Sequence, residues 1–345
     1  MRYMIYCLLL VWLVACQPAQ NAGEDATSPQ EVNVYTHRHY DVDQQLFKKF
    51  EDSTGIKVNV VNANADELIQ KMEAEGEASP ADVLITVDAG RLSRAKEKGL
   101  LQSINSTFLN NTISSNLRDE DNHWFALTKR ARIVVYALDR VDSSELSTYE
   151  ALSDEKWKDK VVIRSSSNIY NQSLLASIIA NNGEEVAREW VAGVVENMAR
   201  APKGNDRDQV KAVAAGEGDL AVVNTYYVGR MLNSKDPIDV EASEKVGIFF
   251  PNQDGRGAHI NISGAGVAKY APNRENAIKF IEYLASKPAQ EVFADANYEY
   301  PVHPDVAPSA LLQSWGSFKE DELALNQLGE YNKLANLIFD AGGWP

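Results

Sequence analysis

The feature that most constrains this chain is a strict alternation of element types near its N-terminal end. Val32-Asn33-Val34-Tyr35-Thr36 alternates as a strand does. Asp43 to Ser53 is amphipathic, with Leu46, Phe47 and Phe50 on one helical face, and Gly55 stops it. A strand is predicted over Ile56 to Val61, a helix over Ala65 to Glu75, and a third strand over Ala81 to Thr86 after Pro80. This β-α-β-α-β order predicts a parallel sheet covered by helices, hence an α/β fold. At 345 residues the chain is too long for one small core and suits two lobes.

The later part repeats these units. Trp124 to Leu138 predicts a long strand that leaves one lobe and enters another. Val161-Val162-Ile163 and Asp219 to Asn224 predict strands. Asn171 to Asn181, Glu184 to Asn197 and Arg274 to Ser286 predict helices. Val246 to Phe250 leads into Asp254 to Ala268, which reads as a glycine-rich return. Extended crossings near Thr128 and Pro251 would form a strand hinge. The expected bodies are residues 31–128 with 252–302, and 129–251 with 303–345.

Residues 1–16, MRYMIYCLLLVWLVAC, place one cation, Arg2, before an apolar run too short to span a bilayer. Leu13-Val14-Ala15-Cys16 resembles a bacterial lipobox, which would make Cys16 an acylated first residue. Residues 17–30 are polar and read as a tether from a membrane surface. The other cysteine, Cys7, lies inside the leader, so the body has no thiol and no cysteine-ligated metal. Such a body suits an extracytoplasmic compartment. A formal net charge of −15 excludes nucleic acid as a natural partner.

Enzyme signatures are missing: there is no GxSxG, HExxH, GxxxxGK[ST] or GxGxxG. Of the five His, only His37 and His39 lie close together; His123, His259 and His303 read as ordinary surface or core residues. Tyrosine placement stands out instead. Tyr40, Tyr170, Tyr226 and Tyr227 each follow a predicted strand closely, where open α/β sheets place ligands. With 14 Tyr in the chain, some would fall there by chance. A phenol has a pKa near 10 and yields its proton only to a strong Lewis acid. Ca²⁺ and Mg²⁺ prefer carboxylates and carbonyls, and Zn²⁺ prefers His and Cys. A tyrosine cluster therefore points to a hard trivalent ion, iron(III). Four phenolates around Fe³⁺ leave one surplus negative charge, which a nearby arginine would balance. Arg38, Arg130 and Arg230 are the candidates, although Arg130 reads more simply as a solvated surface residue.

These residues carry a resemblance. VYTHRHYD at 34–41, the SSSNIYNQSL segment around Tyr170, VVNTYYVGRM at 222–231 and YEYPV at 298–302 resemble the tyrosine-rich ferric-iron-binding proteins of bacterial ABC importers. It covers Val32 to the C-terminus. The resemblance implies a two-lobed clamshell, each lobe a mainly parallel sheet flanked by helices. It implies iron ligands from His39 and Tyr40 in one lobe and from Tyr170, Tyr226 and Tyr227 in the other. It also implies delivery by a monomer to an inner-membrane permease, and it leaves room for an exogenous anion. The rival expectation is a clamshell for an organic solute such as a polyamine or a small anion.

Overall fold

The structure, a computed structural model, describes residues 30–345. The leader, Cys16 and most of the tether lie outside the described residues. From Glu31 onward the chain forms one compact unit.

The elements follow in order: β1 (Glu31–Thr36), α1 (Asp41–Thr54), β2 (Lys57–Asn62), α2 (Ala65–Glu75), β3 (Val83–Val87), α3 (Ala89–Glu97) and β4 (Leu101–Gln102). Next come α4 (Thr107–Thr112), β5 (Phe125–Ala137), β6 (Val161–Val162), α5 (Ile169–Asn182), α6 (Glu184–Glu196) and α7 (Asp206–Ala214). They are followed by β7 (Leu220–Asn224), α8 (Thr225–Leu232), α9 (Pro237–Glu244), β8 (Val246–Phe249) and β9 (Ile260–Ala268). The chain closes with α10 (Arg274–Ala285), α11 (Lys287–Asn297), β10 (Tyr300–Pro301), α12 (Ala310–Ser314), α13 (Gln327–Glu330) and α14 (Asn332–Ala341). Among the described residues, no helix is long and apolar enough to cross a membrane.

Two sheets share the strand β5. Its first part, residues 125–131, pairs with β9; its second part, 132–137, pairs with β7 and β8. The first sheet runs β2-β1-β3-β9-β5, and β6 extends the second beyond β7. This is the two-lobed α/β arrangement. The parallel trio β2-β1-β3 agrees with the β-α-β-α-β reading. Beyond it the pairing departs from a mainly parallel sheet, since β9 runs antiparallel to both β3 and β5.

The expected glycine-rich return turns only at its start; its second part, Ile260–Ala268, is a fully buried nine-residue strand. Its glycines are needed for close packing rather than for turning. A Cβ on Gly264 would lie 2.7 Å from both Leu92 Cδ1 and the Phe125 carbonyl oxygen. One on Gly266 would lie 2.6 Å from the His123 carbonyl oxygen. A second segment, His259 to Asn261, runs alongside β5, with Arg132 N–H donating to the His259 carbonyl at 2.9 Å. A third segment joins there, because Ala258 pairs with Glu320.

One apolar core runs through both sheets. Leu46, Phe47 and Phe50 of α1 are buried in it, with the Phe50 and Phe280 rings 5.0 Å apart. In the second lobe Val134, Val222, Leu175, Val191 and Trp190 are buried. Each such side chain contributes about 1.5–3 kcal/mol when fully removed from water.

Gly266→Ala should lower the urea midpoint of unfolding, by about 1–3 kcal/mol of stability, because its methyl meets unyielding backbone. Wild-type stability in that variant would show that β9 can shift away from the 123–125 segment.

Candidate metal centre

Tyr40 ends the segment after β1 and occupies the N-cap of α1 in extended conformation. Its phenol cannot cap the helix as a short side chain would. Asp43, three residues on, instead accepts from the Tyr40 backbone N–H at 3.3 Å. Tyr170 is the second residue of α5, whose N-cap Asn168 accepts from the Tyr170 N–H at 3.1 Å. Tyr226 and Tyr227 open α8 directly after β7. The helix start lets adjacent side chains diverge by about 100° instead of pointing to opposite faces of a strand. Their rings lie side by side, with centroids 4.2 Å apart.

The four phenols converge. Tyr170 and Tyr226 share a hydrogen bond of 3.2 Å between their hydroxyl oxygens. Tyr40 lines one cavity with Tyr170 and Tyr227. Tyr226 is almost fully buried, and Tyr40, Tyr170 and Tyr227 are partly buried. Burial, followed by the neighbouring Tyr170, pushes the Tyr226 and Tyr227 phenols well above their ordinary range. Burial and then Glu299 raise Tyr40. Both shifts favour the protonated phenol at Tyr40, Tyr226 and Tyr227 when no cation is bound.

His39 is exposed beside Tyr40, with ring centroids 5.3 Å apart. His37 is half-buried, and burial plus Arg91 push its imidazole down to about 4. Both line a cavity of about 260 Å³ with Tyr40, Arg91, Arg164, Tyr170 and Tyr227.

Guanidinium groups surround the phenols. Arg230 lies over the Tyr40 ring at 4.7 Å, with Arg38 at 5.0 Å. Arg130, Arg132 and Arg164 lie 5.4, 5.8 and 5.5 Å from the Tyr170 ring. Their charges are compensated unequally. Arg38 is buried between Asp43 and Glu299, donating from Nε to Asp43 at 3.0 Å and from Nη2 to Glu299 at 3.1 Å. Two carboxylates against one cation leave Arg38 without spare positive charge. Arg132 and Arg164 share the buried Asp206, at 2.8 and 2.9 Å.

Arg130 differs from its sequence reading as a solvated surface residue. It is 2% exposed, and among the described residues none of its three guanidinium nitrogens has a hydrogen-bond partner. Its nearest carboxylate is Asp88, 3.9 Å away. Strand alternation explains its direction. Arg130 and Arg132 project to the phenol side of β5, whereas Lys129 projects away and pairs with Glu320 at 2.7 Å.

Sequence reasoning missed Arg132, Arg164, Asp206 and Glu299. The available signal was Arg130 and Arg132 at strand spacing, within a run otherwise suited to burial. Among the described residues, one other set of metal-ligating groups, Asp119, Asp121 and His123, has ligand atoms within 4.8 Å of one another. Lys96 already occupies it, donating to the two carboxylates at 2.8 and 2.9 Å.

Residues 78–317 match a family described as bacterial extracellular solute-binding protein. The chain belongs to that family. It is 48% identical over 340 residues to iron uptake protein A1 of Synechocystis sp., covering 96% of this chain and 94% of that protein. It is 27% identical to the major ferric iron-binding protein of Neisseria meningitidis, over 98% of both chains. A Trichodesmium structure in complex with iron and citrate ligands superposes with a TM-score of 0.89. That pair is 52% identical and covers 91% of this chain and all of the other.

Asp206→Asn should destabilise the protein by about 3–5 kcal/mol in a denaturant titration, since it leaves Arg132 and Arg164 without their counter-charge. Near-wild-type stability would show that water compensates both guanidiniums.

Proposed function

We propose that this protein captures ferric iron through the phenolates of Tyr40, Tyr170, Tyr226 and Tyr227 and delivers it to an ABC permease. The observation that carries the reading is the convergence of four phenols among guanidinium groups, with Tyr170 and Tyr226 in direct contact. Fe³⁺ supplies the Lewis acidity needed to displace their protons. The resulting charge of −1 falls beside Arg130, whose donors are unpaired, and Arg230, which lies over Tyr40. The names of the relatives support iron as the cargo.

Residues 31–128 with 252–302 would supply Tyr40, and residues 129–251 with 303–345 the other three phenols. Iron held between them would favour closure, and the closed monomer would dock on the permease. His39 stands at the rim beside Tyr40, suited to join or assist the ligand set. The adjacent cavity, with Arg91 and Arg164 in its wall, suits an exogenous carboxylate that completes coordination. Acylation at Cys16 would tether this extracytoplasmic body to a membrane surface. We read the chain as a binding protein and not an enzyme, in keeping with its relatives. The carboxylates near the rings, Asp43, Glu299, Asp206 and Asp88, are each already paired with an arginine, which leaves none for the ammonium groups of a polyamine.

Titration with ferric citrate should produce a visible phenolate-to-iron charge-transfer band that saturates at one iron per chain by elemental analysis. A colourless, metal-free protein would overturn the reading. Tyr226→Phe with Tyr227→Phe should cost several orders of magnitude in ferric affinity, with thermal unfolding little changed. Tyr136→Phe, on β5 away from the cluster, should have no such effect. Unchanged iron binding in the double variant would make the pair structural.

Binding should also depend on pH. The phenols of Tyr40, Tyr226 and Tyr227 start protonated, so iron binding releases protons and affinity falls as pH falls. Competition against citrate from about pH 8 to about pH 5 should show that loss. A flat profile would mean that the phenols keep their protons and do not ligate.

A further inference from the structure

Asp88 has no part in the ligand set, yet it occupies the most constrained position near it. It links β3 to α3 with a φ of 84°, a left-handed conformation uncommon for any residue but glycine. Its carboxylate is fully buried. Oδ1 accepts from the Gly90 N–H at 2.9 Å, which caps α3. Oδ2 accepts from Asn261 Nδ2 of β9 at 2.8 Å. Ser173 Oγ reaches both oxygens, at 2.9 and 2.7 Å.

Ser173 lies one turn after Tyr170 on α5, so it moves with that phenol. It is itself fully buried, and among the described residues Asp88 is the only acceptor of its hydroxyl. The same carboxylate faces Arg130, which lies between it and the Tyr170 ring. One side chain from the β3–α3 turn thus holds both the helix that carries Tyr170 and the guanidinium stacked on it. These partners are 85 residues away for Ser173 and 173 for Asn261.

We infer that Asp88 is a positioning residue for metal retention: its bond to Ser173 clasps the Tyr170 helix to the opposite lobe, and its charge sets the place of Arg130. This rests on the ferric reading above. The clasp forms only when α5 meets the β3–α3 turn, so it favours the closed, metal-holding form and opposes release. The initial encounter of iron with the open cleft does not involve it.

The test compares wild type, Ser173→Ala and Asp88→Asn, each loaded with ferric iron and mixed with excess EDTA. Decay of the visible band gives the off-rate, and stopped-flow mixing with ferric citrate gives the on-rate. In Ser173→Ala the off-rate should rise about ten- to a hundred-fold, the range for one hydrogen bond to a charged group. Its on-rate and apo-protein melting temperature should stay near wild type, and its band should keep its position because the ligands are intact. In Asp88→Asn the band should move to shorter wavelength, because Arg130 then acts on the Tyr170 phenolate without its counter-charge. A Ser173→Ala off-rate within twofold of wild type would overturn the clasp. So would an off-rate increase matched by an equal collapse of apo stability, which marks a merely structural bond. An unmoved band in Asp88→Asn would overturn the pairing with Arg130. A wild type that takes up no iron overturns the ferric reading itself, a failure distinct from these.

Discussion

Burying a guanidinium beside four phenols is costly unless something else in the site requires the charge. Arg130 is 2% exposed with no hydrogen-bond partner among the described residues, and its nearest counter-charge lies at 3.9 Å. The neighbouring arginines are compensated unequally: Arg38 by two carboxylates, and Arg132 and Arg164 together by one, which leaves that pair one positive charge in surplus. The site is thus prepared for negative charge that is absent while the phenols are protonated. A hard trivalent cation creates that charge by displacing their protons, and a stack of aromatic rings alone would not require it.

The fold supplies this arrangement through a few local rules. Helix starts placed directly after strands aim Tyr226 and Tyr227 at one point, and the N-caps of α1 and α5 bring Tyr40 and Tyr170 towards it. The continuous strand β5 crosses between the sheets, and its alternation sends Arg130 and Arg132 to the phenols and Lys129 to the far side. Alongside it run the start of β9 and the 319–321 segment. The lobes are joined where the charges are densest, so movement about this hinge would alter the phenol cluster directly.

Much of this was legible in the sequence. The β-α-β-α-β opening, the long crossing strand and the post-strand tyrosines all follow from periodicity and position. What escaped was long-range. β9 looks like a return because Gly264 and Gly266 dilute its strand character, yet those glycines mark close approach to Leu92, Phe125 and His123. Glu299 meets Arg38 across 261 residues, and no local pattern announces that contact. Arg130 looked solvated because a lone arginine usually is. Read together with Arg132 two residues later, in a strand that becomes central, it signals a charged lining.

The most direct test of the account is a resonance Raman spectrum of the iron-loaded protein, excited within its visible band. Phenolate ring modes should be strongly enhanced, and growth on ring-deuterated tyrosine should shift them. A loaded protein whose spectrum shows no tyrosinate modes would place the iron elsewhere and contradict the central claim.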